Sequence, residues 1–145
     1  MYPTIMVGVD GSKYSEGAFK VAAEMARSFG SKLTILAVFL EAPYFGFTFE
    51  YVPPIPQEYE ERYRTMLEQY AEKARSMGVR DVDTKLINGL YSIGSAIVRE
   101  AEATKTSLIV VGTRGLTGIK RTLLGSVADY VVKNAHCDVH IVRSI

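Results

Sequence analysis

The amino-acid sequence predicts a single α/β domain built on a mainly parallel five-stranded sheet with helices on both faces. Three observations predict it. Five short apolar runs alternate along the chain with four stretches of helical periodicity, an order that favours right-handed crossovers and a parallel sheet. Two of the helical stretches stop at Gly30 and Gly78, where a left-handed C-terminal cap is wanted. The length of 145 residues, with 48% hydrophobic side chains, suits one compact core, so residues 1–145 are read as one domain.

The first strand is the run Ile5 Met6 Val7 Gly8 Val9, closed by the turn residues Asp10 Gly11 Ser12. From Ser15 to Phe29 the positions Ala18, Val21, Ala22, Met25 and Phe29 share one helical face. Leu33 to Leu40 forms the second strand. After a long connection, Tyr59, Tyr63, Met66, Leu67, Tyr70, Ala74 and Met77 make a second helical stripe. Val82 to Ile87 alternates apolar and polar residues as a half-covered strand does, and Ile93, Ala96, Ile97 and Ala101 mark a third helix. Leu108 Ile109 Val110 Val111 is the most strongly apolar strand. The last helix, from about Ser126 to Ala135, presents Val127, Val131 and Ala135, and Val139 to Val142 is the final strand.

Composition excludes several classes of function. With 17 basic and 16 acidic residues the net charge is +1, far from the concentrated positive charge that nucleic-acid binding uses. The first eight residues lack the basic and long apolar regions of a secretory signal, and no run approaches the roughly 18 apolar residues of a membrane span. Cys137 is the only cysteine, so no internal disulfide can form. The expectation is a soluble, cytoplasmic protein with neither nucleic acid nor membrane as partner.

Ligands on open parallel sheets bind beyond the carboxyl ends of the strands. The loop after the fourth strand carries Gly112, two residues, Gly115, nine residues, then Gly125 Ser126 at the start of the last helix. Glycines without Cβ let backbone amides approach phosphate oxygens closely. A helix N-terminus attracts anions, and the Ser126 hydroxyl adds a donor. The two ends of the loop can therefore form one cradle for a phosphate-bearing ligand. The plainer alternative is a tight turn at Gly112 and Gly115, with Ser126 capping the helix.

The same residues carry a resemblance. Gly112, Gly115, Gly125 and Ser126, at this spacing, resemble the ATP-binding signature of the universal stress protein family, and the flanking Leu108 to Val111 and Leu123 to Ala128 look like its surroundings. The resemblance runs from Ile5 through Ser12 to Cys137 through Val142. It implies a Rossmann-like fold with strand order 3-2-1-4-5, which sets the ends of strands 1 and 4 side by side. It further implies ATP at that crevice. Gly112 and Gly115 would approach the phosphates by backbone, Gly125 and Ser126 would open the helix that receives them, and Val127 would offer its amide. Val9 and Val111 would wall the crevice, Val38 would present its backbone to adenine, and Asp10 would lie near the ribose and phosphates. An Asp10 carboxylate in the outer shell of a phosphate-bound Mg²⁺ makes that ion a companion cofactor. Asp10 Gly11 Ser12 also reads as an ordinary turn into a helix.

Gly89 Leu90 Tyr91 departs from the proline that many relatives carry after the third strand, which affects the loop near the adenine. Arg114, Lys120 and Arg121 either add positive charge to the phosphate site or are simply solvated. The aromatic and proline-rich connection 41–59 reads as a fold over the nucleotide, a contact with another subunit, or packing on the sheet edge. His136, Cys137, Asp138 and His140 invite a metal reading, but strand alternation sends Cys137 to the face opposite the other three. The final strand, at a sheet edge, has open backbone groups through which members of the family commonly dimerise, so a homodimer is expected. The functional expectation is an ATP-dependent regulatory or stress-response module with at most slow hydrolysis. The alternatives are a phosphotransferase or ATP hydrolase, for which the Walker lysine motif is missing, and a ligand-free dimeric adaptor.

Overall fold

A computed structural model describes residues 1–40, 54–89, 92–113 and 124–143. Its elements run β1 (Thr4–Gly8), α1 (Lys13–Phe29), β2 (Lys32–Phe39), α2 (Gln57–Ser76), β3 (Asp81–Asn88), α3 (Ile93–Ala103), β4 (Leu108–Gly112), α4 (Ser126–Asn134) and β5 (Asp138–Val142). The strands form one parallel sheet in the order β3-β2-β1-β4-β5. This is the predicted architecture and strand order.

Residues alternate across the sheet because successive strand side chains point to opposite faces. Ile5 and Val7 of β1, Leu33 and Ile35 of β2, and Leu108 and Val110 of β4 pack against α1 and α2. Met6, Leu36, Ile109 and Val111 pack against α3 and α4. The central strands are buried on both faces, which explains their unbroken apolar runs. The edge strands β3 and β5 are only partly covered, which explains their alternation.

Helix α1 meets the sheet with small side chains, Ala18, Ala22, Ala23 and Ala26, so its backbone approaches closely around one large anchor, Phe19. Phe19 is fully buried and its ring lies 4.8 Å from that of Tyr70 on α2. Burying a side chain of that size contributes about 1.5–3 kcal/mol. The buried face is rotated from the predicted one. It includes Phe19 and Ser15, whereas Phe29 is 42% exposed and rests edge-on against Tyr2. The helix also begins two residues before Ser15, because Ser12 caps it by accepting a hydrogen bond from the Ser15 amide at 3.2 Å. Gly30 takes the left-handed cap at φ 67°, and its N–H reaches the Ala26 carbonyl.

On β5 and the two residues before it, Cys137, Val139 and Ile141 pack toward α3 and α4, while His136, Asp138 and His140 are exposed. The predicted separation of the cysteine from the two histidines is therefore present. Burial, reinforced by the nearby Asp138 carboxylate, pushes the Cys137 thiol above its ordinary value and keeps it protonated. The Asp138 carboxylate accepts a hydrogen bond from the Tyr2 hydroxyl at 2.8 Å, fastening the N-terminal segment to β5.

Candidate functional site

The chain leaves β1 and β4, which are hydrogen-bonded neighbours, toward different parts of the molecule, and a cavity of about 420 Å³ opens between their carboxyl ends. Its floor is Gly8, Val9 and Asp10 after β1 and Val111, Gly112 and Thr113 at the end of β4. Helix α4 closes one side with Ser126, Val127 and Ala128. On the other side stand Leu36, Val38 and Leu40 of the β2 segment and Tyr63 of α2, with Ile93 and Ile97 of α3 beneath.

The junction between β4 and α4 is tied by backbone. The Gly125 amide donates to the Thr113 carbonyl at 2.7 Å, and the Thr113 amide donates to the Val142 carbonyl of β5 at 3.0 Å. The two ends of the loop after β4 are thus held together although residues 114–123 between them lie outside the described residues. Gly125 is the N-cap of α4, with extended backbone and no side-chain cap, and the first intrahelical bond runs from the Asp129 amide to the Gly125 carbonyl at 2.9 Å. The amides of Ser126, Val127 and Ala128 precede that bond, so they have no acceptor within the helix. By contrast α1 and α3 are capped by Ser12 and Ser92. Ser126 is not the cap that its type suggested. It stands one position inside the helix, and its hydroxyl has no hydrogen-bond partner among the described residues.

Asp10 combines its two predicted roles. One carboxylate oxygen accepts the Ser12 amide at 2.9 Å, closing the turn into α1, and the Asp10 amide donates to the Ser15 hydroxyl oxygen at 3.1 Å. The other carboxylate oxygen has no hydrogen-bond or ion-pair partner among the described residues, and the residue lines the cavity. Ser15 is buried there and donates onward to the Ser12 carbonyl at 3.2 Å. Behind it, burial raises the Tyr70 hydroxyl above its ordinary value, while a hydrogen bond with Ser15 pulls the other way.

Of the residues singled out from sequence, Val9, Asp10, Val38, Val111, Gly112, Ser126 and Val127 all line this one cavity. Gly125 stands behind the wall, its amide already engaged by Thr113. Gly115, together with Arg114, Lys120, Arg121, Leu90 and Tyr91, lies outside the described residues, as do residues 41–53 of the aromatic connection. Sequence reasoning missed Gly8, Ser15, Leu36, Leu40, Tyr63, Ile93, Ile97, Thr113 and Ala128. Thr113 and Ala128 flank residues that were identified. Tyr63 and Ile97 sat on helical stripes whose periodicity marks core, and nothing local distinguishes a core position from a cavity wall.

A doubly wound parallel sheet with an open crevice at its switch point is the class that this fold and cavity define. The comparison of sequences goes further: the model of the universal stress protein family matches residues 1–143, and the chain belongs to that family. Universal stress protein MJ0531 of Methanocaldococcus jannaschii is 35% identical over 144 residues, covering 99% of this chain and 83% of the relative. Among solved structures, a universal stress protein in complex with cAMP is similar at 28% identity and a TM-score of 0.76, covering 99% of this chain and 98% of that one. The universal stress protein from Archaeoglobus fulgidus in complex with dAMP is similar at 25% identity and a TM-score of 0.71, with 97% of each chain covered.

Proposed function

We propose that this protein binds ATP in the cavity over β1 and β4 and acts as a nucleotide-dependent regulatory or stress-response module rather than as an efficient enzyme. The observation that carries the reading is the convergence of β4 and α4. The 2.7 Å hydrogen bond from Gly125 to Thr113 holds the glycine-bearing strand end beside three amides that lack helical acceptors. That arrangement suits a polyanion, since the free amides and the helix dipole both attract negative charge. An apolar wall opposite suits a base. Adenine nucleotides in the related structures, cAMP and dAMP, support the choice of base.

The cavity fits a magnesium companion modestly. Asp10 offers one carboxylate oxygen without a partner among the described residues, the hard oxygen donor that Mg²⁺ takes alongside phosphates and water. In that role Asp10 would hold the ion and the ion would neutralise phosphate charge. Asp10 is also the sole carboxylate among the described residues of the lining, and no lysine or histidine accompanies it there. Efficient phosphoryl transfer usually recruits more such groups, which favours binding over turnover. A second copy pairing along β5 would complete the assembly that nucleotide binding biases. β5 is a sheet edge with backbone groups open on one side.

The test is to denature freshly purified protein and identify released nucleotide by mass, then to titrate ATP into the wild type and Gly112→Val by calorimetry. ATP is expected in the extract, and the valine variant is expected to lose binding while its unfolding transition remains cooperative. Unaltered affinity in Gly112→Val would remove β4 from the phosphate site.

A further inference from the structure

The apolar side of the cavity contains one feature that the glycine motif does not touch. Tyr63 reaches it from α2, well before that motif in the chain, and is the single aromatic ring among the described lining residues. Its ring is held from behind. Phe39, which is 9% exposed, meets it edge-on with centroids 6.2 Å apart and planes at 84°, and Tyr59 braces Phe39 in turn at 5.5 Å. Tyr59 and Tyr63 are four residues apart, so one helical face supplies both rings. One turn further, Met66 covers the turn after β1, its sulfur 3.3 Å from where a Cβ on Gly11 would stand. Helix α2 is thus braced at the strand end and at the Asp10 turn together. The Tyr63 hydroxyl has no hydrogen-bond partner among the described residues.

The position of the ring decides its role. Strand order places β2 on the far side of β1 from β4, so the β2 segment stands two strand spacings, roughly 10 Å, from the phosphate end, and α2, which packs on β2 and β3, brings Tyr63 to that side of the cavity. A ligand with phosphates at Gly112 and α4 therefore brings its other end to Tyr63. We infer that Tyr63 is the base-recognition residue of this site, a preorganised aromatic platform against which the nucleobase packs, so that the cavity selects nucleotides over simple polyphosphates. This rests on the nucleotide reading above. A braced ring loses little freedom on binding, and stacking on an aromatic side chain accepts any base while rejecting ligands that have none.

The experiment uses the whole chain and three variants, Tyr63→Leu, Tyr63→Phe and Gly112→Val, with ATP and inorganic tripolyphosphate as probes. Thermal unfolding without ligand first establishes that each variant folds. Tyr63→Leu is expected to weaken ATP at least about 5-fold, as loss of a stacking contact does, and to leave competition by tripolyphosphate unchanged. Tyr63→Phe is expected to keep ATP within about 2-fold, because the ring carries the contact. The chain has no tryptophan, so its emission reports tyrosine directly. ATP, and not tripolyphosphate, should quench that emission in the wild type, and the quench should shrink in Tyr63→Phe although binding persists. Equal ATP affinity in Tyr63→Leu and the wild type would overturn the assignment, as would equal weakening of both probes. A wild type that binds neither probe would instead overturn the nucleotide site itself, and Tyr63 with it.

Discussion

Gly89 offers the sharpest test of how the base end of the cavity is shaped. It follows β3, is buried, and donates its amide to the Phe39 carbonyl at 2.8 Å. A Cβ at this position would stand 2.7 Å from Val38 Cγ1 and 3.3 Å from Leu40 Cδ1, both on cavity-lining residues. Carbon atoms pack at about 3.5–4.0 Å, so Gly89→Ala overlaps Val38 by roughly 1 Å. The Gly89 φ lies outside the left-handed region, and alanine incurs no backbone strain there. Overpacking of this kind costs about 1–3 kcal/mol. Reduced freedom of the unfolded chain offsets about 0.4–1 kcal/mol of it. The net loss is about 1–2 kcal/mol, which lowers the melting temperature by about 3–6 °C in a chain of this size. The assay is urea unfolding of Gly89→Ala, Val38→Ala and the double variant. Removing the Val38 methyls opens the space that the new Cβ needs, so the two changes should couple favourably by about 1–2 kcal/mol. Strict additivity would mean that Val38 is not what Gly89 accommodates, and the reasoning would fail.

Two further predictions concern the phosphate end and its support. Ser126→Asp places a carboxylate in the first turn of α4, where the helix dipole favours it by about 0.3–1 kcal/mol, so the melting temperature should hold or rise. If the proposed site is right, the same charge faces the phosphates, and ATP affinity measured by calorimetry should fall at least about 10-fold, since like charges brought together cost several kcal/mol. Retained affinity would turn that helix end away from the ligand. At Tyr70, burial is the largest cause holding the hydroxyl above the ordinary 10.0, so the folded state favours the protonated phenol. Its stabilisation is complete below pH 10 and is lost as the pH rises from there through the folded value, because the unfolded chain ionises first. Urea midpoints measured from pH 8 to 11 should therefore fall less in Tyr70→Phe than in the wild type. Parallel curves would assign the alkaline loss to other groups.

The fold was legible because its information is local. Apolar runs such as Leu108 to Val111 need burial on both faces, and that need, with left-handed glycines ending helices at Gly30 and Gly78, sets the order of elements. Strand order was not legible from periodicity and came from the family resemblance. Helix faces were less legible. Phe29 reads as apolar core yet sits on the rim, because the close approach of α1 is set by Ala18, Ala22 and Ala26 and turns the helix about Phe19. Ser126 reads as a helix cap, but Gly125 occupies the cap position, since its extended backbone lets the amide reach Thr113.

The same contrast divides the candidate site. The end proposed to hold phosphates is built from backbone: strand-end glycine, amides at a helix start, and a carbonyl that ties them. Backbone function leaves a spacing of small residues that a sequence displays openly. The base end is built from side chains that three elements bring together, Val38 from β2, Tyr63 from α2 and Ile97 from α3. Each of these satisfies its own helix or strand pattern, so Val38 was reached only through the family resemblance, and Tyr63 and Ile97 are silent in sequence until the fold places them. A consequence follows for relatives with the same glycine spacing. On the proposed reading the spacing constrains the polyphosphate, and the ligand's other half depends on residues that can change without disturbing it. Two chains with identical glycine loops can therefore differ in how strongly they favour nucleotides over simple polyphosphates, and the identity of the residue at position 63 is where that difference should first be sought.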